Sequence, residues 1–453
     1  MASAARAARA AHPPAGALCY LDNNATTLAP PEVLAAMTRW ANRGDPSAAH
    51  AGAREARAMM DTFRREIAAA CGFELEGGDA YDVVFTSGAS ESNSQVITGA
   101  VRAYAAATGR LPHLITGAAE HPSVLLCAER LAREKACQLT VLPVGRRGPG
   151  YGAVASADLD AALRPNTCLV SITAACGETG ALSDLRELAS LAHRARVPFH
   201  TDAAQAFGRA ALRPAELGID AFSVSFHKLH APPGVGALVL RRRFAAGYDL
   251  APLICGLQNG GARGGGENLP GIAAALVAFR QAVDGRAAKT ARARRLRDAL
   301  RAALAAHLPC FAADAHPADA LPSLDGVAPP GPAPRGTEAA QAAIRAAAAG
   351  GPPALFWLAP ADDSRALPNT LRLAVRRPGF SARAALAALE RRGVVVGLGS
   401  DALAPAPLRG AVLRVSLSDH TTSEDVKKFV HAFLEVILSG EALAGAAPPE
   451  PAL

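Results

Sequence analysis

A lysine and an aspartate, each at the end of an apolar strand-like run, are the residues of this sequence best placed to do chemistry. Lys228 ends the run Ser225-Phe226-His227-Lys228, and Asp202 ends a run that begins at His200. A lysine at a sheet edge can form a Schiff base with pyridoxal phosphate. A carboxylate can keep the pyridine nitrogen of that cofactor protonated, which makes the ring an electron sink. We therefore interpret Lys228 and Asp202 as the core of a pyridoxal phosphate site.

The segment from Val83 to Asn93 could bind the phosphate of such a cofactor. Its pattern predicts a strand, a turn and the start of a helix. Free backbone N–H groups at Ala89 and Ser90, together with the Ser90 hydroxyl, would point at an anion that the helix dipole also favours. The same turn could simply cap a helix. It indicates a phosphate site only because it precedes Asp202 and Lys228 in the chain.

The motif Glu120-His121-Pro122 follows the end of another strand-like run. An imidazole in that place could stack on a cofactor ring and later move protons. A single histidine in a loop is usually a surface residue. The neighbouring motifs favour a catalytic role for His121.

Strand-like and helical patterns alternate along the chain, which predicts an α/β fold with a mostly parallel, seven-stranded sheet. The strand candidates are Tyr81–Thr86, His113–Thr116, Leu139–Val144, Thr167–Ile172, Pro198–Asp202, Ala221–Ser225 and Ala237–Arg241. Strands and helices after residue 366 predict a smaller α+β unit. Its last helix is predicted to begin at the capping-box pattern Thr421-x-x-Glu424.

The composition divides the chain into two domains and two tails. We expect a disordered tail, a large cofactor-binding domain, a small C-terminal domain and a second disordered tail over residues 1–17, 18–275, 276–440 and 441–453. The segment 18–30 is expected to pack with the small domain. Residues 311–366 are rich in Ala, Pro and Gly and indicate an insertion in that domain. The acid-poor, Arg-containing start is compatible with a transit peptide, but we interpret it as a tail.

The overall composition indicates a globular protein without a membrane span or a metal site. The 453 residues are 50% hydrophobic and 19% charged, and no run approaches the ~20 uncharged apolar residues that cross a membrane. Eight cysteines occur without CxxC pairs or metal-like spacing. They indicate reduced thiols and a cytoplasmic location.

The formal charge of +7 invites a nucleic-acid interpretation, but only 5% of the residues are aromatic, so base-stacking platforms are scarce. Much of the basic excess lies in one helical stretch. Its members, which we expect to form a solvated helix face, are Arg286, Lys289, Arg292, Arg294, Arg295, Arg297 and Arg301. We therefore expect neither nucleic acid nor membrane as a partner.

Taken together, the motifs resemble those of the NifS-like cysteine desulfurase and selenocysteine lyase family, which are class-V aminotransferases of fold-type I. The resemblance runs from about residue 20 to residue 437. Its motifs are Tyr20 to Thr27, Asp45-Pro46-Ser47, Phe85 to Asn93, Glu120-His121, Glu178-Thr179-Gly180, His200 to Gly208, Ser225 to Lys228, Arg263 to Pro270, Leu367 to Thr370 and Leu413 to Leu417.

The resemblance implies roles for individual residues. Lys228 would carry the cofactor as an internal aldimine, Asp202 would pair with the pyridine nitrogen, and His121 would stack on the ring. The other implied groups are Gln205 at the phenolic oxygen, the phosphate ligands Ser90, Ala89, Ser225 and His227, and the substrate-binding residues Arg414 and Asn24. The family also implies a homodimer, a small amino-acid substrate and a protein that accepts sulfur or selenium.

The sequence departs from the family pattern at three places. The family's catalytic cysteine lies in a loop that corresponds to residues 397–405, and this loop contains no cysteine. The family's Asn-Asn-Glu is Cys176-Gly177-Glu178, which removes one hydrogen bond to the ring. The family's Arg-Ala-Gly-Thr-Glu-Asn is the segment 263–268, which lacks the threonine. Two other thiols, Cys176 and Cys255, could approach the cofactor.

Three functions are compatible with these residues. The first is a lyase of this family whose substrate has a leaving group that needs no protein thiol, as selenocysteine does. The second is a pyridoxal phosphate enzyme that catalyses transamination or β-elimination. The third is a catalytically inactive relative that serves as a binding partner.

Overall fold

Two β-sheets form the framework of the computed structural model, which describes residues 18–145, 150–248, 250–312, 353–360 and 362–443. The predicted tail over residues 1–17 lies outside the described residues. So do most of the predicted insertion and most of the second tail.

In chain order, the strands are β1 (Cys19–Leu21), β2 (Tyr81–Thr86), β3 (His113–Gly117), β4 (Gln138–Leu142), β5 (Thr167–Ser171), β6 (Phe199–Asp202), β7 (Ala221–Ser225), β8 (Gly236–Arg241), β9 (Cys310–Ala312), β10 (Ala354–Trp357), β11 (Thr370–Arg376), β12 (Val394–Leu398) and β13 (Val412–Ser416). The α-helices are α1 (Pro31–Trp40), α2 (Ala51–Cys71), α3 (Ala89–Thr108), α4 (Pro122–Arg133), α5 (Ser156–Ala162), α6 (Leu185–Arg194), α7 (Pro214–Leu217), α8 (Arg242–Tyr248), α9 (Leu269–Val283), α10 (Arg286–Ala305), α11 (Ala382–Arg391) and α12 (Ser423–Ser439).

The larger sheet has the strand order β2-β8-β7-β6-β5-β3-β4. Strands β3 to β7 pair in parallel, whereas β8 is antiparallel to both β2 and β7. The central strands β5, β6 and β7 are buried at every position, as expected for strands with helices on both faces. The predicted α/β fold with a seven-stranded, mostly parallel sheet is confirmed.

The smaller sheet has the order β1-β12-β13-β11-β10-β9. Its first strand comes from the start of the described chain, because Cys19, Tyr20 and Leu21 pair in parallel with β12. The residues after β1 then cross to the larger sheet, where the backbone N–H of Thr27 donates to the carbonyl of His227 at 3.0 Å. This crossing places the segment 22–27 between the two sheets.

Helix α9 packs entirely on the core of the larger sheet. Its buried side chains, including Leu269, Ile272, Leu276 and Phe279, belong to one cluster with Phe63. The boundary between domains that the sequence predicts at residue 275 falls inside this helix.

The last helix, α12, begins one residue later than its predicted cap implies. Thr422 is the N-cap, because its hydroxyl accepts from the N–H of Asp425 at 3.1 Å and the Asp425 carboxylate accepts from the N–H of Thr422 at 2.8 Å. The prediction of a capping box at Thr421 and Glu424 was therefore wrong. The Thr421 hydroxyl is instead used in the preceding turn, where it accepts from the N–H of Ser418 at 2.8 Å.

Helix α10 presents only part of the solvated basic face that the sequence predicts, because Arg295 is exposed but other members make contacts with the protein. Arg297 is 3% exposed and pairs with Asp298 and Asp363, each at 2.9 Å. Arg292 donates to the carbonyl of Asp419 at 2.8 Å, and Arg301 lies over the ring of Trp357. The prediction was wrong for these residues, because long basic side chains can bury their stems while their charged ends reach carbonyl and carboxylate groups.

Within the described ranges, no helix is long and apolar enough to cross a membrane. In the same part of the chain, no group of three or more His, Cys, Asp or Glu side chains is arranged to hold a metal ion. All eight cysteines are described and none is in a disulfide. Cys255 is exposed and the others are buried.

Candidate active site

The parallel strands β6 and β7 bring Asp202 and the Lys228 segment to the same edge of the larger sheet. Asp202 is the last residue of β6 and is in register with Ser223 of β7. After Ser225 the chain makes a single 3₁₀ turn over Phe226–Lys228. Because neighbouring parallel strands end at one edge, residues that are far apart in sequence meet there.

The Lys228 amine lies against the backbone of the segment that crosses between the sheets. It donates to the carbonyl of Ala25 at 2.7 Å and to the carbonyl of Asn24. Burial, followed by the positive charges of Arg209 and Arg414, lowers the pKa of Lys228 to about 8. The negative charge of Asp202 opposes this shift, so the two groups interact electrostatically. A substantial fraction of the Lys228 amine is therefore neutral near physiological pH.

The Asp202 carboxylate is held by two donors and is only 4% exposed. One oxygen accepts from the Asn93 side chain at 2.8 Å, and the other accepts from the N–H of Ala204 at 2.9 Å. The nearby carboxyl group of Glu120 has a pKa raised well above its usual value, through burial and through the charge of Asp202. Burial therefore favours the neutral form of Glu120.

His121 is the N-cap of α4, and part of its side chain is exposed. Its Nδ1 accepts from the N–H of Ser123 at 3.1 Å, so in the neutral ring the proton is on Nε2. The protein that covers the rest of the ring lowers the pKa of His121, while the charge of Asp202 raises it. The ring is thus fixed in orientation and uncharged at neutral pH.

The N-cap of α3 is Gly88, which has no side chain to cap the helix start. The N–H of Ala89 donates to the Ser225 hydroxyl at 2.9 Å, whereas the Ser90 side chain is exposed. The N–H groups in the first turn of a helix lack partners within the helix and attract anions. His227 lies two residues after Ser225. Its Nδ1 is 3.0 Å from the Thr26 hydroxyl.

A direct hydrogen bond links the Gln205 side chain to the backbone of Asn24. The Gln205 amide donates to the carbonyl of Asn24 at 2.9 Å. The Asn24 side chain is 1% exposed and donates to the carbonyl of Gly177 at 2.9 Å and to the Thr370 hydroxyl at 2.8 Å. A Cβ atom at Gly177 would lie 2.9 Å from the Gln205 amide nitrogen, so glycine leaves the room that this amide occupies.

Arg414 lies on β13 between two carboxylates that sequence analysis did not assign to it. It pairs with Asp22 at 2.9 Å and with Glu178. The second oxygen of Glu178 accepts from the N–H of Ser400 at 2.7 Å. Glu178 therefore joins the predicted substrate arginine to the loop that follows β12.

That loop, residues 399–411, is held in place by a buried arginine. Arg372 is fully buried and donates to the carbonyls of Ser400 and Leu403. The Asp401 carboxylate also accepts from the N–H of Gly410 at 2.8 Å. A short loop with these ties and without a cysteine cannot deliver a thiol to the Lys228 region. Of the two alternative thiols, Cys176 is 2% exposed and Cys255 is exposed.

The structure thus brings together Lys228, Asp202, His121, Gln205 and the start of α3, and it places Arg414 beside Asp22. Sequence analysis missed Arg209, Asn93 and the pairing of Arg414 with two acids. Arg209 could have been noticed, because it lies four residues after Gln205 and directly follows the recognised motif His200 to Gly208. The partners of Arg414 could not, since 392 residues separate Arg414 from Asp22 and 236 separate it from Glu178.

Comparison with known proteins agrees with this geometry. The family model described as aminotransferase class-V matches residues 19–256. The chain belongs to the class-V aminotransferase family.

Within this family the chain resembles the NifS-like branch. A cysteine desulfurase of Gluconacetobacter diazotrophicus is 38% identical over 62% of this chain and 67% of its own length. A selenocysteine lyase of Bos taurus is 35% identical over 65% of this chain and 71% of its own length. A solved NifS-like protein superimposes with a TM-score of 0.75, at 25% identity, over 93% of this chain and 100% of its own. The predicted family resemblance is confirmed.

Proposed function

We propose that the protein is a pyridoxal phosphate-dependent lyase that acts on a small amino acid whose β-substituent leaves without help from a protein thiol. The observation that carries the proposal is the meeting of a lysine of lowered pKa with a buried carboxylate at one sheet edge, beside an uncapped helix start. Selenocysteine is the first candidate substrate, because its selenol is more acidic and its carbon–selenium bond weaker than the sulfur counterparts.

The residues at this edge fit pyridoxal phosphate. Lys228 would hold the cofactor covalently, and Asp202 would pair with its ring nitrogen. The start of α3, with Ser90, Ser225 and His227, would hold its phosphate. The Asp202 carboxylate is buried and accepts hydrogen bonds from the Asn93 side chain and from the N–H of Ala204. When bound, this cofactor supplies an electron sink for charge that develops at the α-carbon of an amino acid.

The protein's own residues then have definite tasks. The Lys228 amine, neutral above a pH of about 8, can take a proton from a substrate carbon. His121 covers one side of the site with an uncharged ring and can pass a proton through Nε2. Arg414 can bind a substrate carboxylate through parallel N–H groups. That carboxylate first has to displace Glu178 or Asp22 from the guanidinium.

The loop 399–411 decides which substrates are suitable. It contains no cysteine, and Arg372 and Glu178 tie its first residues to the protein. This loop therefore has no thiol that could attack the sulfur of a substrate. Selenium can leave the β-carbon of selenocysteine as the neutral element, with the bond electrons and then a proton going to that carbon, so that alanine forms without a protein thiol. This favours selenocysteine over cysteine.

A substrate panel tests the proposal on cofactor-loaded protein in the presence of a thiol reductant. Selenocysteine and cysteine are compared with other amino acids, following alanine, selenide, sulfide and keto-acid formation. We expect selenocysteine to give alanine and elemental selenium, which the added thiol reduces to selenide, and we expect little alanine from cysteine. Equally rapid turnover of cysteine would refute the role given to the loop. Keto acids from other amino acids would favour transamination or β-elimination, and no turnover would favour an inactive binding partner.

Cofactor capture by cofactor-free protein should accelerate as the pH rises through about 8 and should then level off. Only the neutral amine is nucleophilic, and a lowered pKa of about 8 means that half of the Lys228 amines are neutral there. An ordinary lysine with a pKa of about 10.4 would still be almost wholly protonated. Stopped-flow absorbance after mixing with pyridoxal phosphate measures the rate. A rate that keeps rising to pH 10 would show that Lys228 is not perturbed.

Glu178→Gln should lower the KM for the amino-acid substrate by about threefold to tenfold, which corresponds to roughly 1 kcal/mol. The amide cannot form an ion pair with Arg414, so one competitor for the substrate carboxylate is removed. Steady-state kinetics measure the change. Glu187→Gln, at an exposed position on α6, is the control and should leave KM unchanged. A higher KM in Glu178→Gln would instead show that Glu178 helps to orient Arg414.

We also propose that the protein is a homodimer that passes its product to an acceptor protein. Three apolar side chains of one segment are exposed in the single chain, namely Leu253 at 40%, Ile254 at 41% and Leu257 at 92%. This segment precedes residues 263–268, which by family resemblance reach the neighbouring subunit. Analytical ultracentrifugation measures the mass directly, and a monomer at all concentrations would refute the dimer.

A further inference from the structure

Arg209 is a cation that the proposed roles do not yet use. Its side chain is partly buried, and desolvation lowers its pKa to about 10. Among the described residues, no carboxylate lies within ion-pair distance of it. Its guanidinium instead donates to neutral oxygens, which are Gln205 Oε1 at 2.7 Å, Asn24 Oδ1 at 3.2 Å, the Asn23 carbonyl at 3.1 Å and the Lys228 carbonyl at 3.1 Å. The negative charge of Asp419 opposes the lowered pKa, but these hydrogen bonds of the guanidinium all go to neutral oxygens. Burying a charge in this way is costly, so its neighbours suggest a function.

The bond to Gln205 fixes the direction of that amide. Arginine has no acceptor atom, so the oxygen of Gln205 has to face Arg209. The nitrogen then faces the other way, where it donates one hydrogen to the Asn24 carbonyl and keeps a second hydrogen for another acceptor. Gln205 is therefore presented as a donor, which is the form suited to an anionic oxygen.

Arg209 also acts on the Lys228 amine from two directions. It donates to the Lys228 carbonyl, and it holds the Asn24 side chain, whose backbone carbonyl accepts from the Lys228 amine. Its positive charge is the second cause, after burial, of the lowered pKa of Lys228. Arg209, Gln205, Asn24 and Lys228 thus form one connected network.

We propose that Arg209 is a positioning residue that turns the Gln205 amide toward the cofactor, sets the Asn24 carbonyl against the Lys228 amine and acts on that amine as a permanent positive neighbour. This proposal rests on the proposed function for the identity of the cofactor. The contacts among the protein groups do not depend on it.

Three variants separate the charge of Arg209 from its hydrogen bonds. Arg209→Met removes both, Arg209→Lys keeps the charge but cannot reach four oxygens, and Gln205→Ala keeps the charge and removes the amide. Arg65→Met, at an exposed position on α2, is the control. Circular dichroism and thermal unfolding establish which variants fold.

The first measurement uses full-length, cofactor-free protein and no substrate. Trace labelling with acetic anhydride over a pH series, read by mass spectrometry of the Lys228 peptide, gives the midpoint at which the amine becomes reactive. We expect a midpoint near 8 in the unmodified protein, about one unit higher in Arg209→Met, and little change in Arg209→Lys, Gln205→Ala and the control. Equal midpoints in Arg209→Met and the unmodified protein would overturn the electrostatic part.

The second measurement adds pyridoxal phosphate and follows its dissociation constant and visible absorbance maximum. Arg209→Lys and Gln205→Ala should both weaken binding, by about tenfold for a lost hydrogen bond in this site, and should shift the maximum in the same direction. Unchanged affinity and absorbance in Arg209→Lys would overturn the positioning part. If the unmodified protein bound no pyridoxal phosphate, the proposed function would fail, while the labelling series would still decide how Arg209 acts on Lys228.

Discussion

Lys228→Ala is expected to abolish covalent attachment of pyridoxal phosphate and to lower turnover by about 10²-fold to 10⁴-fold, the range for loss of a positioned general base. The side chain is the amine of lowered pKa at the sheet edge, where it lies against the carbonyls of Asn24 and Ala25. Borohydride reduction followed by peptide mass spectrometry measures the attachment. The absorbance of the loaded protein gives an independent measure.

Lys427→Ala is the matched control for this experiment. Its side chain is 72% exposed on α12 and pairs only with Glu424 among the described residues. Lys427→Ala should bind pyridoxal phosphate covalently and turn over the substrate as the unmodified protein does. Cofactor that remained covalently bound in Lys228→Ala, on any other lysine, would place the site elsewhere in the molecule.

Asp202→Asn is expected to lower turnover by roughly 10-fold to 150-fold, because a charge-assisted hydrogen bond of about 1.5–3 kcal/mol to the protonated ring nitrogen is lost. The amide has nearly the shape of the carboxylate but cannot keep a ring nitrogen protonated. It also turns one acceptor into a donor that faces the Asn93 side chain or the N–H of Ala204. Single-turnover kinetics and the cofactor dissociation constant measure the two effects separately.

Glu120→Gln provides the comparison for Asp202→Asn. Glu120 is buried near Asp202 but is neutral, since burial and the charge of Asp202 raise its pKa well above the usual value. Replacing a neutral carboxyl group with a neutral amide should therefore cost much less turnover. Equal losses in the two variants would mean that the size of the side chain, and not the charge of Asp202, is what the site requires.

Much of the fold could be predicted because its signals are local. The seven strands of the larger sheet lie close to the apolar runs that predicted them. The capping box at Thr422 was misplaced by one residue, because Thr421 and Thr422 can both cap a helix and only the preceding turn selects between them. The basic face of α10 was misjudged because the sequence does not show which carbonyls a long side chain reaches.

The sequence by itself determined the family, the two-sheet α/β plan and the candidates Lys228 and Asp202, since these depend on short motifs at strand ends. Only the tertiary structure decided that Arg414 is paired with Asp22 and Glu178, that Arg209 fixes Gln205, and that the pKa of Lys228 falls to about 8. These properties come from burial and from charges brought together across the gap between the sheets. Desolvation and Coulomb interactions depend on distance in space, which separation along the chain does not reveal.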